Sequence, residues 1–327
     1  MKIFVYNLRE YDEKVYFDLF CKKNECEYGY TPEYPSLNNA DLAKGYDALD
    51  IINSRMDAEL LERFHEIGIK YIATRSIGYE HIDLKKAQSL GMRIAHVFYS
   101  PNSVANYTVM LMLMGCRNIA HVMERARIQD FTLQGKMGRE ISNCTVGVIG
   151  TGKIGSTVIK HLSGFGCNIY AYDDRPDEFV RNYAEYTELD RLIKECDIIT
   201  LHAPSNNSTY HMITKETIET MKDGVIIINT ARGSLVDTAA LIDGLDSRKI
   251  GFAALDVLEN EEGLYYLNRM NEVIGNHELA ILSSYPNVIL TPHTAFYTDE
   301  AVSNMVENSI NGICGFEKDE VNMFEVK

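Results

Sequence analysis

The stretch TVGVIGTGKIG at Thr145–Gly155 constrains this chain more than any other. It reads as a buried strand running into a glycine-rich turn, and the helical pattern STVIKHLSGFG follows. Gly150, Gly152 and Gly155 fit G-x-G-x-x-G. In that pattern the first glycine allows the tight turn, the second lets backbone approach a pyrophosphate, and the third lets helix pack on strand. The next strand, CNIYAYD, ends in Asp173, which lies 173 − 155 = 18 residues past the last glycine. That is close to the ~20 expected of an acid that binds the adenosine ribose. Such an acid accepts hydrogen bonds from both ribose hydroxyls and repels a 2′-phosphate. The spacing therefore predicts NAD rather than NADP, with Arg175 the one nearby feature that softens the preference.

A fingerprint so far from residue 1 leaves nearly half of the chain ahead of it, enough for another domain. Strand and helix patterns alternate on both sides, which predicts α/β layers built on parallel sheets. KIFVY, ALDII, KYIAT and RIAHV read as strands in the first hundred residues, with an amphipathic helix over Ala58–Ile67. TVGVIG, NIYAYD, DIITLH, VIIINT, FAALD and VILTPH form a second series. A helix is expected to start at SPNSVANYT, with Pro101, Asn102 and Ser103 at its beginning, and to run through Met114 toward Arg125. Another follows Thr298 as N-cap, with Val302, Met305, Val306, Ile310 and Ile313 on one apolar face.

Bulk properties remove several function classes. With 32 basic and 47 acidic residues the net charge is −15, the opposite of a nucleic-acid footprint. The most hydrophobic run, Val109–Cys116, is too short to cross a bilayer, so no membrane partner is expected. Seven cysteines form no C-x-x-C pair and no metal-ligand spacing. Reduced thiols, no bound metal and a cytoplasmic location are the expectation.

Three strand ends in the second half carry chemistry: VIIINTARG ends in Arg232, FAALDVLENEE in acids, and VILTPHTAF brings His293. In open parallel sheets, ligands bind outside the carboxyl ends of the strands. A guanidinium fork can pair with a substrate carboxylate and polarise the neighbouring carbonyl. A histidine can give a proton to the developing alkoxide, and a carboxylate bonded to its ring favours the protonated form. These residue types suit hydride transfer to a 2-oxo acid. Glu259, Glu261 and Glu262 compete for the carboxylate role. His65, His81 and His96 read as surface or satisfied core residues, and His202, in ITLHAP, as lining the cofactor site.

Taken in order, TRSIGYEHID, YSPNSVANYT, VGVIGTGKIG, LHAP, INTARGSLVD, ALDVLENEE and TPHTAFYT resemble the D-specific 2-hydroxyacid dehydrogenases over nearly the whole chain. Within that family the likeness is to the D-lactate dehydrogenase branch, and particularly to the dehydrogenases of vancomycin-resistance gene clusters. The resemblance implies two Rossmann-like or flavodoxin-like doubly wound domains. A substrate domain, 1–100 with 299–327, would receive a cofactor domain, 101–298, as an insertion, with the catalytic cleft between them. It also implies a homodimer that uses the helix after Pro101. It gives Arg232 as the substrate-binding arginine, His293 as acid/base, Glu261 as its carboxylate partner and Asp173 as the ribose acid. Lys153 and Ile154 fall in the phosphate turn, Ala203, Pro204 and Thr209 in the loop lining the cofactor, and Thr230, Ala231 and Asp256 at the nicotinamide end. Ser76, Ile77 and Gly78 match a loop whose N–H groups hold the substrate carboxylate, an anion nest, and Tyr99 and Phe296 match aromatic residues bordering the substrate. The implied activity is NADH-dependent reduction of a small 2-oxo acid, with pyruvate giving D-lactate expected from the HTAFYT string. Bulkier branched or aromatic 2-oxo acids are the alternative within the family. A dinucleotide-sensing corepressor of the same fold is the non-enzymatic alternative.

Overall fold

The short aliphatic runs become strands because β-branched side chains suit a pleated surface covered on both faces. In the computed structural model, which describes residues 1–261, 263–318 and 321–326, they assemble two compact units. One comprises Met1–Ser100 with Tyr297–Lys327, the other Pro101–Phe296.

The first unit holds a parallel sheet of β1 (Lys2–Val5), β2 (Glu27–Tyr30), β3 (Ala48–Ile51), β4 (Tyr71–Thr74) and β5 (Arg93–Ala95), in the order β2-β1-β3-β4-β5. Alternation sends Phe4, Leu49, Ile51, Ile72 and Ile94 to one face, against Leu60, Leu61 and Phe64 of the helix Ala58–Glu66. Ile3, Val5, Ala48, Ala73 and Ala95 point the other way, toward Phe17 and Phe20 of the helix Lys14–Lys23. The helix Asp299–Gly315 completes that second layer with Val306, Ile310 and Ile313. Thr298 caps it by accepting the Ala301 N–H at 3.2 Å.

Fully buried charges lie at the centre of this unit. The Arg75 guanidinium donates to Glu13 Oε1 at 3.0 Å and to Asp50 Oδ1 at 2.8 Å, and Ser309 Oγ donates to Asp50 Oδ2 at 2.7 Å. Burial pushes the Asp50 carboxyl up to about 6 even though Arg75 pulls it down.

The second unit holds seven parallel strands in the order β12-β11-β10-β9-β6-β7-β8. They are β6 (Thr145–Ile149), β7 (Asn168–Tyr172), β8 (Glu185–Tyr186), β9 (Ile198–Leu201), β10 (Val225–Asn229), β11 (Ile250–Leu255) and β12 (Val288–Leu290). Strand order reverses between β6 and β9, which opens a crevice beyond their carboxyl ends.

The helix expected to run from Pro101 toward Arg125 is broken. Asn102–Cys116 ends, Asn118 takes a left-handed conformation at φ 51°, and a new helix spans Ile119–Arg127. Asparagine tolerates that conformation better than most residues, and its side-chain amide donates to Met137 O at 2.9 Å. Among the described residues no helix is long and apolar enough to cross a membrane.

Candidate active site

The glycine turn sits at the β6/β9 crevice, and its three glycines answer to different neighbours. Gly150 has φ 91°, and a Cβ there would lie 2.6 Å from the Ala203 nitrogen. A Cβ on Gly155 would lie 1.9 Å from the Gly150 oxygen. Both glycines are required by the chain itself. Gly152 is different, because a Cβ there meets nothing within 4 Å. No internal contact demands glycine at 152, and the turn is open on that side. Gly152 also precedes the helix Lys153–Leu162, whose first N–H groups suit a pyrophosphate. Lys153 is exposed at its start, while Ile154 packs into the core beneath.

Asp173 follows β7 and accepts the Thr151 N–H at 2.6 Å and the Arg175 N–H at 2.8 Å. Its carboxylate is thus fixed beside the turn. Across the crevice, Ala203 packs on the core, and Thr209 closes its own loop by donating to Pro204 O at 2.6 Å. His202 meets the glycine turn with its backbone and Cβ, and its Nε2 lies 3.0 Å from Thr200 Oγ1. Although one edge of the residue remains open, desolvation drives its pKa down to about 3 and keeps it neutral. These residues fit a bound dinucleotide.

Beyond β10, Thr230 is buried and its hydroxyl lies 2.9 Å from that of Thr108 on the helix Asn102–Cys116. The Ala231 N–H donates to Asn229 Oδ1, and the half-buried Arg232 donates from Nη1 to Ala231 O at 2.8 Å. Beyond β11, Asp256 accepts the Thr291 hydroxyl at 2.6 Å and the N–H groups of Thr294 and Ala295 at 2.9 Å. Its carboxylate folds the loop that carries His293. The side chain of His293 places Nδ1 2.6 Å from Glu261 Oε1, while Glu261 Oε2 accepts the Leu258 N–H at 2.9 Å. Phe296 is buried, its ring edge-on to the imidazole at 6.4 Å. Glu259 points elsewhere, with one oxygen 2.6 Å from His211 Nε2 and the other accepting the Thr238 hydroxyl. Glu262 lies outside the described residues.

The loop Ser76–Ile77–Gly78 belongs to the first unit, just past β4, and Tyr99 lies half-buried in the segment after β5. The loop's three carbonyls are all taken: Val97 N–H donates to Ser76 O, Ser76 Oγ to Gly78 O at 2.6 Å, and His96 Nδ1 lies 2.9 Å from Ile77 O. What the loop retains for a ligand is its N–H groups. His81 Nε2 sits 3.0 Å from Thr74 Oγ1, which in turn bonds the Ser76 hydroxyl. Sequence reasoning set His81 and His96 aside as surface or core residues, yet both brace this loop. Their placement beside TRSIG was the signal available.

Known proteins bear on this geometry. The family described as "D-isomer specific 2-hydroxyacid dehydrogenase, NAD binding domain" matches residues 109–295. An aromatic 2-oxoacid reductase of Clostridium sporogenes is 48% identical over 324 residues, covering 97% of this chain and 96% of its own. The crystal structure of a D-lactate dehydrogenase from Treponema pallidum superposes with a TM-score of 0.90 at 31% identity, over 100% of both chains. D-2-hydroxyisocaproate dehydrogenase also gives 0.90, at 34% identity, covering 100% of this chain and 99% of its own. The chain belongs to the D-isomer specific 2-hydroxyacid dehydrogenases and is an NAD-dependent enzyme of that family.

Proposed function

We propose that the chain reduces aromatic 2-oxo acids to their D-2-hydroxy acids with NADH. The observation that carries the reaction is the 2.6 Å contact between His293 Nδ1 and Glu261, which leaves Nε2 as the working nitrogen of the ring. Bound NADH supplies the hydride for the carbonyl carbon. His293 gives the Nε2 proton to the developing alkoxide, and Glu261, bonded to Nδ1, fixes the orientation of the ring. Arg232 pairs with the substrate carboxylate and polarises the carbonyl beside it, as a planar fork can and an ammonium cannot. The first unit acts as substrate domain, its Ser76–Ile77–Gly78 loop offering N–H groups to a substrate carboxylate. Asp173 takes the ribose hydroxyls, and Thr230, Ala231 and Asp256 border the nicotinamide.

The side-chain class rests on the 48% identity to the aromatic 2-oxoacid reductase. Pyruvate is the second reading, supported by the HTAFYT string and by the likeness to a D-lactate dehydrogenase. The test compares kcat/KM with NADH for pyruvate, 2-oxoisocaproate and phenylpyruvate. Phenylpyruvate is expected to exceed pyruvate at least tenfold, about the discrimination that a few methylenes of apolar contact provide. A preference for pyruvate would install the second reading. Absence of turnover with every acid would favour a dinucleotide-sensing binding protein.

The enzyme works as a homodimer in the cytoplasm. The helix Ile119–Arg127 buries none of its residues, and Met123, Ile128, Phe131, Leu133 and Met137 are exposed on it and after it. A second copy is the natural cover for such a surface. All seven cysteines are free thiols, which suits a reducing compartment.

A further inference from the structure

His293 adopts a left-handed backbone conformation, φ 53°, uncommon for any residue but glycine, and its surroundings hold it there. Its N–H side is imposed from β11, since it donates to Asp256 O at 2.8 Å while the Asp256 carboxylate gathers the loop around it. Its carbonyl side is held by a residue that no motif pointed to. The Tyr266 hydroxyl donates to His293 O at 2.7 Å, and the two rings lie 6.2 Å apart. Tyr266 and Glu261 are five residues apart on the segment between β11 and the helix His277–Ser284. One segment therefore grips the histidine twice, by a carboxylate on Nδ1 and a phenol on the main-chain oxygen.

We infer that Tyr266 is a positioning residue for the acid–base imidazole: its hydroxyl fixes the His293 peptide so that Nδ1 stays on Glu261. The inference rests on the reading of His293 as the acid–base group. A side chain's direction is set by the peptide that bears it, and here one bond holds the carbonyl end of that peptide. Among the described residues, Glu261 bonds the imidazole and Asp256 holds its loop, while Phe296, edge-on to the ring, is uncharged. Tyr265 places a buried hydroxyl without a partner nearby, and burial with the Glu261 and Asp256 charges holds it neutral.

Tyr266→Phe keeps the ring and removes the hydroxyl at a half-exposed position, so the variant folds. Reduction should lose about five- to tenfold in kcat, the effect of one neutral hydrogen bond. The KM for NADH should stay unchanged, and the alkaline limb of reduction should move to lower pH as the Glu261 contact loosens. In a Glu261→Gln background the same change should shift the limb no further. A limb that stays in place, with or without lost turnover or a lower Tm, overturns the inference. His293→Ala in parallel separates the two claims. Substantial activity there removes the acid–base reading and this inference together, whereas an inactive His293→Ala beside an unmoved Tyr266→Phe limb removes only the role of Tyr266.

Discussion

At His202 a single ring links the cofactor crevice to acid stability. Desolvation sets its folded pKa at about 3, below the ordinary 6.5, so the unfolded chain takes up the proton first as pH falls. Stability from this residue is complete above pH 6.5 and drains away as pH drops toward 3. Between pH 7 and pH 5 the loss is about 2 kcal/mol. Asp50 works in the opposite sense, because its folded value of about 6 lies above 3.8 and protonation favours the folded state across that window. Comparing a His202→Gln variant with the parent isolates the histidine. The urea midpoint of the parent should fall more between pH 7 and pH 5 than that of the variant, and parallel lines would refute the assignment. The same scale shows what the sequence withheld. Glu259, Glu261 and Glu262 lie in an irregular segment after β11, where no period tells which carboxylate turns inward. Only the fold sends Glu259 to His211 and Glu261 to His293.

Elements were readable where their chemistry was strong. The aliphatic runs of β6, β9 and β10 are buried along almost their whole length, and the strand–turn–helix at the fingerprint lies where its glycines indicate. The edge strands β2, with the sequence EYGY, and β8, two residues long, carry no aliphatic run and went unread. The helix break at Asn118 was hidden because the apolar pattern continues past it in sequence. The turn itself yields a paired prediction. Gly152→Ala should leave Tm near the parent value, since the added methyl meets no protein atom, yet it should weaken NADH binding by at least tenfold. Gly155→Ala should lower Tm outright, because its methyl would overlap the Gly150 carbonyl. Thermal melts with and without NADH measure both. Undiminished NADH binding by Gly152→Ala would mean the dinucleotide does not approach the turn.

For the molecule as a whole, the exposed apolar strip from Met123 to Met137 predicts association. Sedimentation should give a species of twice the 37.1 kDa chain mass, and Phe131→Ser with Leu133→Ser should shift it toward the single chain. A parent that sediments as one chain would leave the strip without its proposed cover. The path of the backbone has a consequence for biosynthesis. The first unit begins to form at Lys2, but its covering helix Asp299–Gly315 follows only after the 296 − 101 + 1 = 196 residues of the second unit. At ~5–20 residues per second the ribosome needs roughly 10–40 s for that stretch. Throughout this interval Ile3, Val5, Ala48 and Ala73 await the cover of Val306, Ile310 and Ile313, and Asp50 awaits Ser309. The unit made first is therefore completed last. A nascent chain arrested within the second unit would present an uncovered sheet face to chaperones.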